Sequence, residues 1–161
     1  MSFISSADER FRQRLDHFRN YISREDRGRI GGSAIPEVVS CNHDTRELVL
    51  RFRFEDWMLN CNGVMHGGII SLFMDSSMGW MSSSWAEEAP PAPTPSISMN
   101  ITFLEPVFPC DSVLVKVHLT AMKSRIAYVS ASLYKEEDPE KVLAMATGEY
   151  YRLKHPVTPN T

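Results

Sequence analysis

The residues of this chain best suited to chemistry form one short stretch, Asn60-Cys61-Asn62-Gly63-Val64-Met65-His66-Gly67-Gly68, with Asp75 beyond it. Two adjacent glycines are poor helix formers, each costing about 1 kcal/mol relative to alanine. They make sense where something must approach the backbone closely. The first amides of a helix have no internal partner and stand at the positive end of its dipole. A carbonyl oxygen placed there is polarised, and an oxyanion forming on it is stabilised. A tight packing turn that binds nothing explains His66-Gly67-Gly68 equally well when taken alone. Asp75 adds weight to the chemical reading. A carboxylate in an apolar helix must be paired, hydrogen-bonded or used.

The element that carries these groups is a helix. Ile69, Ile70, Leu72, Phe73, Met74, Met78, Trp80 and Met81 are apolar nearly all round, which marks a buried helix after His66. Asp75 lies eight residues beyond Gly67. At 1.5 Å per residue that is about 12 Å along the axis. Asp75 therefore cannot reach a carbonyl held at its own helix start. If both groups serve one reaction, a second copy of the chain supplies one of them. Two antiparallel helices related by a two-fold axis bring each Asp75 near the other chain's Gly67.

The remaining elements frame that helix. Phe11, Leu15, Phe18 and Ile22 recur at helical spacing, predicting an amphipathic helix from Ser6 to Ile22. Arg27 to Gly32 reads as a connector. Strand-like alternation appears in Glu47–Phe54, Ser96–Leu104, Ser112–Ala121, Ile126–Tyr134 and Val142–Leu153, with a turn at Glu137-Asp138-Pro139. The segment Pro90 to Pro95 cannot be helical, because proline lacks the amide donor and restricts its predecessor. Successive strands with short connections predict an antiparallel sheet, hence an α+β fold with one helix wrapped by a curved sheet.

Composition bounds the rest. The 161 residues predict one domain, divided as 1–32 (amphipathic helix and connector), 33–155 (main domain) and 156–161 (tail). A hydrophobic share of 43% and a charged share of 23% exclude a disordered chain. A net charge of −3 offers no footprint for nucleic acid. Cys41, Cys61 and Cys110 lack the spacing of a disulfide framework or zinc cluster, which favours a reducing, cytoplasmic setting. The apolar stretch from Val64 to Met74 falls short of the ~20 residues that span a bilayer, so no membrane insertion is expected. No targeting signal is evident in this sequence.

Asn60, Gly63, His66, Gly67, Gly68, Asp75, Ser96 and the run Met99-Asn100-Ile101-Thr102-Phe103-Leu104 resemble the hot-dog-fold acyl-CoA thioesterases of the phenylacetate-pathway type. The resemblance covers Leu48 to Leu153. It implies a homodimer, with dimers pairing into tetramers, and hydrolysis of an acyl thioester, on coenzyme A or a carrier protein, at a site shared between protomers. The implied roles fall on specific residues. The amide of Gly67, helped by Asn60 and His66, holds the thioester carbonyl. Asp75 of the other protomer acts as general base or nucleophile, and Ser96 positions water. No metal or separate cofactor is implied; coenzyme A enters as part of the substrate. Gly68, Met74, Met78, Lys123 and Arg125 are the expected substrate-binding residues. The methionines, with Met81, Trp80 and Trp85, are expected to offer an adaptable apolar pocket. Relatives often carry glycine and then a basic residue before the strand at Ile126, where this chain has Met122-Lys123-Ser124-Arg125. Bland roles stand beside these: a helix cap for His66, core packing for the methionines, solvated surface for Lys123 and Arg125 and for His43, His118 and His155. Two other functions fit the same scaffold, a dehydratase-type lyase using His66 and Asp75, and a non-catalytic acyl-binding accessory protein.

Overall fold

One helix lies along the inner face of a six-stranded antiparallel sheet, so the expected α+β arrangement is the one observed. The computed structural model describes residues 6–25, 29–30, 34–85 and 94–153. Most of the expected connector, most of the proline segment, His155 and the tail 156–161 lie outside the described residues. The elements in chain order are α1 (Ser6–Glu25), β1 (Glu37–Asn42), β2 (Glu47–Arg53), α2 (Gly67–Ser84), β3 (Ser96–Phe103), β4 (Ser112–Lys123), β5 (Ile126–Lys135) and β6 (Asp138–Tyr151). The strands stand in the order β1-β2-β4-β5-β6-β3.

Period-two alternation decides which side chains face α2. Leu48, Leu50 and Phe52 of β2, Val113, Val115, Val117 and Leu119 of β4, and Ala127, Val129, Ala131 and Leu133 of β5 are all buried. On β6 the inward residues are Ala144, Ala146, Gly148 and Tyr150, three small and then one large. That strand begins at Asp138, ahead of the expected Val142, with Lys135 paired to Asp138 across a tighter turn. Pro139 sits near the strand's first residue, where a missing amide donor is tolerated.

The helix α2 is buried by β2 to β6 on one side and by α1. Phe11 and Leu15 of α1 are buried, each contributing about 1.5–3 kcal/mol by removal from water. Phe11 meets Trp85 edge-on with ring centres 5.6 Å apart, and Phe18 meets Trp80 likewise at 5.5 Å. The Arg14 Nε donates to the carbonyl of Ser84 at 2.7 Å, so a cation satisfies the last turn of α2. His43, expected at the surface, instead stacks on Trp85 at 4.4 Å.

The strand β3 is an edge of the sheet, hydrogen-bonded to β6 alone. Only Ile101 on it is even half-buried; Ile97 and Phe103 are each 52% exposed and Met99 38%. The strand carries no charged residue.

Candidate active site

The start of α2 is fixed by its preceding loop. The Asn60 Oδ1 accepts from the amides of Asn62 at 2.8 Å and Val64 at 3.4 Å. Gly63 takes a φ of 72°, the left-handed region that glycine enters without penalty. The amide of Met65 donates to the Val107 carbonyl and that of His66 to the Met58 carbonyl, at 2.8 and 2.7 Å. The loop thus delivers His66 as N-cap of α2, its Nδ1 accepting from the Gly68 amide at 2.9 Å. A Cβ on Gly68 would lie 3.1 Å from that nitrogen, so glycine leaves room for the cap.

This bonding selects one amide. Gly68 donates to the His66 ring, while Ile69 and Ile70 donate to the His66 carbonyl. Among the described residues, only the Gly67 amide of this first turn is left for a ligand. The Asn60 carboxamide turns its oxygen into the loop, which leaves its nitrogen as the outward donor. The ring of Phe103 walls this point, 3.6 Å from where a Cβ on Gly67 would stand.

Asp75 occupies a different place. Its side chain is half-buried, and Oδ1 accepts from the hydroxyl of Tyr150 at 2.8 Å. The same hydroxyl also lies 3.2 Å from the Asp75 carbonyl. Tyr150 is 1% exposed. Burial, then the Asp75 charge and hydrogen bond, push its phenol well above the usual tyrosine range, so it stays a proton donor. Ser96 is the register partner of Tyr150 across β3 and β6. Lys123 and Arg125 flank the β4–β5 turn just beyond, where Ile126 pairs with Tyr151 and the Arg152 amide donates to the Arg125 carbonyl at 2.8 Å. Ser124, in that turn, has a φ of 55°.

Within one chain, then, the expected site residues form two groups. Asn60, His66, Gly67 and Gly68 sit with Phe103 at one end of β3. Ser96 sits with Tyr150, Lys123 and Arg125 at the other, and Asp75 stands between the two groups, about 12 Å from Gly67 along α2, where the Tyr150 hydroxyl reaches it. The eight residues of β3 separate these ends by about 24 Å at 3.4 Å per residue. Met74 and Met78 lie on α2. Both are wholly buried in the core of a single chain, Met78 wedged against Gly148. Trp80 and Trp85 pack edge-on against Phe18 and Phe11 of α1. Cys61 is an exposed free thiol. No cluster of metal-ligating side chains occurs among the described residues. Tyr150 is the site residue that sequence reasoning missed. Its signal was present: it is the one large polar side chain on the inward face of β6.

The thioesterase superfamily model matches residues 62–142, which is half of the chain. The chain belongs to the thioesterase superfamily. Thioester hydrolysis is the chemistry that name states, and this chain is an enzyme of that class. A Pseudomonas aeruginosa protein named as an esterase is 27% identical over 69% of this chain and 80% of its own length. The Bos taurus acyl-coenzyme A thioesterase THEM4 is 24% identical over 79% of this chain, which spans half of that protein. Among solved structures, Escherichia coli PaaI, from the phenylacetic acid degradation operon, superposes with a TM-score of 0.76 at 16% identity. The match covers 95% of this chain and all of PaaI, and it shows the hot-dog fold. No helix among the described residues is long and apolar enough to cross a membrane.

Proposed function

We propose that this thioesterase hydrolyses an acyl-coenzyme A at a site that two protomers share across β3. The observation that carries this reading is the separation of Gly67 from Asp75 by about 12 Å within one chain, beside an exposed, uncharged edge strand. An exposed edge invites pairing with another strand. Antiparallel pairing of two β3 strands about a two-fold axis near Met99 and Asn100 joins the sheets. It also sets the Gly67 end of each β3 beside the Ser96 end of the other, which brings each Asp75 toward the Gly67 of the second copy.

In that arrangement the Gly67 amide and the Asn60 nitrogen hold the thioester carbonyl oxygen and stabilise the oxyanion. Asp75 of the other protomer takes a proton from water, whose oxygen attacks the carbonyl carbon. Ser96 helps hold that water. Collapse of the tetrahedral intermediate breaks the carbon–sulfur bond, and the thiolate takes up the proton, giving a free acid and coenzyme A. Lys123 and Arg125 stand at the Ser96 end, where their charges suit the phosphates of coenzyme A. The acyl group meets Phe103 and its apolar neighbours. The coenzyme A assignment draws on the bovine relative's name. A lyase reading needs His66 as a base. With Nδ1 already accepting from Gly68, the neutral ring carries its hydrogen on Nε2 and has no free lone pair there.

Thiol release from a panel of acyl-coenzyme A substrates tests the reading. Wild type is expected to turn over at least one apolar acyl-CoA, and Asp75→Asn to lower kcat by about 10²-fold or more. An Asn side chain keeps an acceptor for Tyr150, so the fold is expected to persist. Acyl-CoA binding without any turnover would support the accessory-protein alternative and defeat the enzyme reading.

A further inference from the structure

We propose that Tyr150 is a positioning residue for the hydrolysis, holding one oxygen of Asp75 so that the other is presented to water. The proposal rests on the thioesterase reading above and adds to it a residue outside the motif. Three features of the chain build the contact.

The first is the hydrogen bond itself. The Tyr150 hydroxyl lies 2.8 Å from Asp75 Oδ1. Among the described residues Oδ2 has no hydrogen-bond partner, so the two oxygens of one carboxylate are distinguished. A carboxylate free to rotate offers water many geometries; one pinned through a single oxygen offers few. The second is the rigidity of the donor. Tyr150 is 1% exposed, and its ring is confined between α2 and its own strand. A strained or solvated phenol would add little, whereas a buried one can adopt few other positions.

The third is the room made for that ring. A Cβ on Gly148 would lie 2.8 Å from Tyr150 Cε2 and 3.3 Å from the Met78 Sδ, both closer than ordinary contacts. On α2, a Cβ on Gly79 would meet Cε1 at 3.8 Å. Gly148 is two residues before Tyr150, on the same face of β6. Glycine in a strand interior weakens it and marks close approach of another group. Here the group is the ring that reaches Asp75. Gly148 and Tyr150 therefore act as one device, a slot and the phenol that fills it.

Tyr150→Phe removes the hydroxyl and keeps the ring. The expected result is a kcat lowered about 10-fold, as for loss of one hydrogen bond to a charged group. KM stays within about two-fold, because Tyr150 touches no substrate. In an Asp75→Asn background the same change is expected to have little effect, since its partner's role is already gone. Gly148→Ala keeps the hydroxyl but displaces the ring, and is expected to lower kcat in the same way. Thermal unfolding of each variant reports folding separately. An unchanged kcat in folded Tyr150→Phe overturns the proposal, as does an equal loss with and without Asp75. If wild type itself releases no thiol from any acyl-CoA, the thioesterase reading falls and this proposal falls with it. If wild type is active and Tyr150→Phe matches it, only this proposal falls.

Discussion

Ser96 and Phe103 stand at the two ends of β3, and each belongs to a different half of the site. Ser96 pairs in register with Tyr150, whose hydroxyl reaches Asp75. The Phe103 ring lies against Gly67. One edge strand thus runs past both groups of candidate residues, and the same strand is the surface through which, on the proposed reading, a second copy brings them together.

His66 holds the first turn of α2 through its ring. His66→Ala removes an N-cap acceptor, and a loss of about 1 kcal/mol of stability is expected. His66→Asn restores a good cap without an imidazole. If the role of His66 is to cap, His66→Asn recovers both the midpoint of denaturant unfolding and kcat. Recovery of stability without kcat would instead assign the ring a direct part in catalysis.

Ser124 takes a left-handed conformation in the β4–β5 turn. Residues other than glycine are strained there by roughly 1–2 kcal/mol. Ser124→Gly relieves that strain but adds freedom to the unfolded chain, so a net gain of about 0.5–1 kcal/mol is expected. Chemical denaturation of the two proteins measures it, and a lower unfolding midpoint would contradict the prediction.

Much of this was legible beforehand because alternation and helical spacing state which face is buried. Leu48, Leu50 and Phe52, or Val113, Val115 and Val117, announce their strands with no tertiary knowledge. The glycine pair and Asp75 announce the chemistry for a similar reason, since each is unfavourable where it stands unless used. What periodicity does not carry is the identity of neighbours distant in sequence. Met74 and Met78 lie on the same helix as Asp75, and only the tertiary structure shows how fully they are buried. Tyr150 follows Asp75 by 75 residues, and no local pattern joins them. The exposure of β3 depends on its place at the edge, which follows from strand order rather than from the residues of β3 themselves.

The edge itself can be tested. Met99 lies near the centre of β3, where the proposed two-fold axis passes. Met99→Lys places a charge there, a residue type that blocks edge-to-edge pairing. The variant is expected to be a folded monomer by light scattering and to lose nearly all thiol release. A monomer with wild-type kcat would contradict a shared site.

The most direct measurement mixes two disabled subunits. Asp75→Asn removes the base. Gly67→Pro removes the oxyanion amide at a first helical position, where proline is well tolerated, and the preceding His66 has the extended conformation proline requires (ψ 135°). Each protein alone is expected to be inactive. After unfolding and refolding together in equal amounts, half of the dimers are mixed, and each mixed dimer holds one site with both lesions and one with neither. The account predicts recovery of about a quarter of wild-type activity. Absence of recovery, with mixed dimers demonstrated by mass spectrometry, would show that base and oxyanion donor do not meet across the dimer.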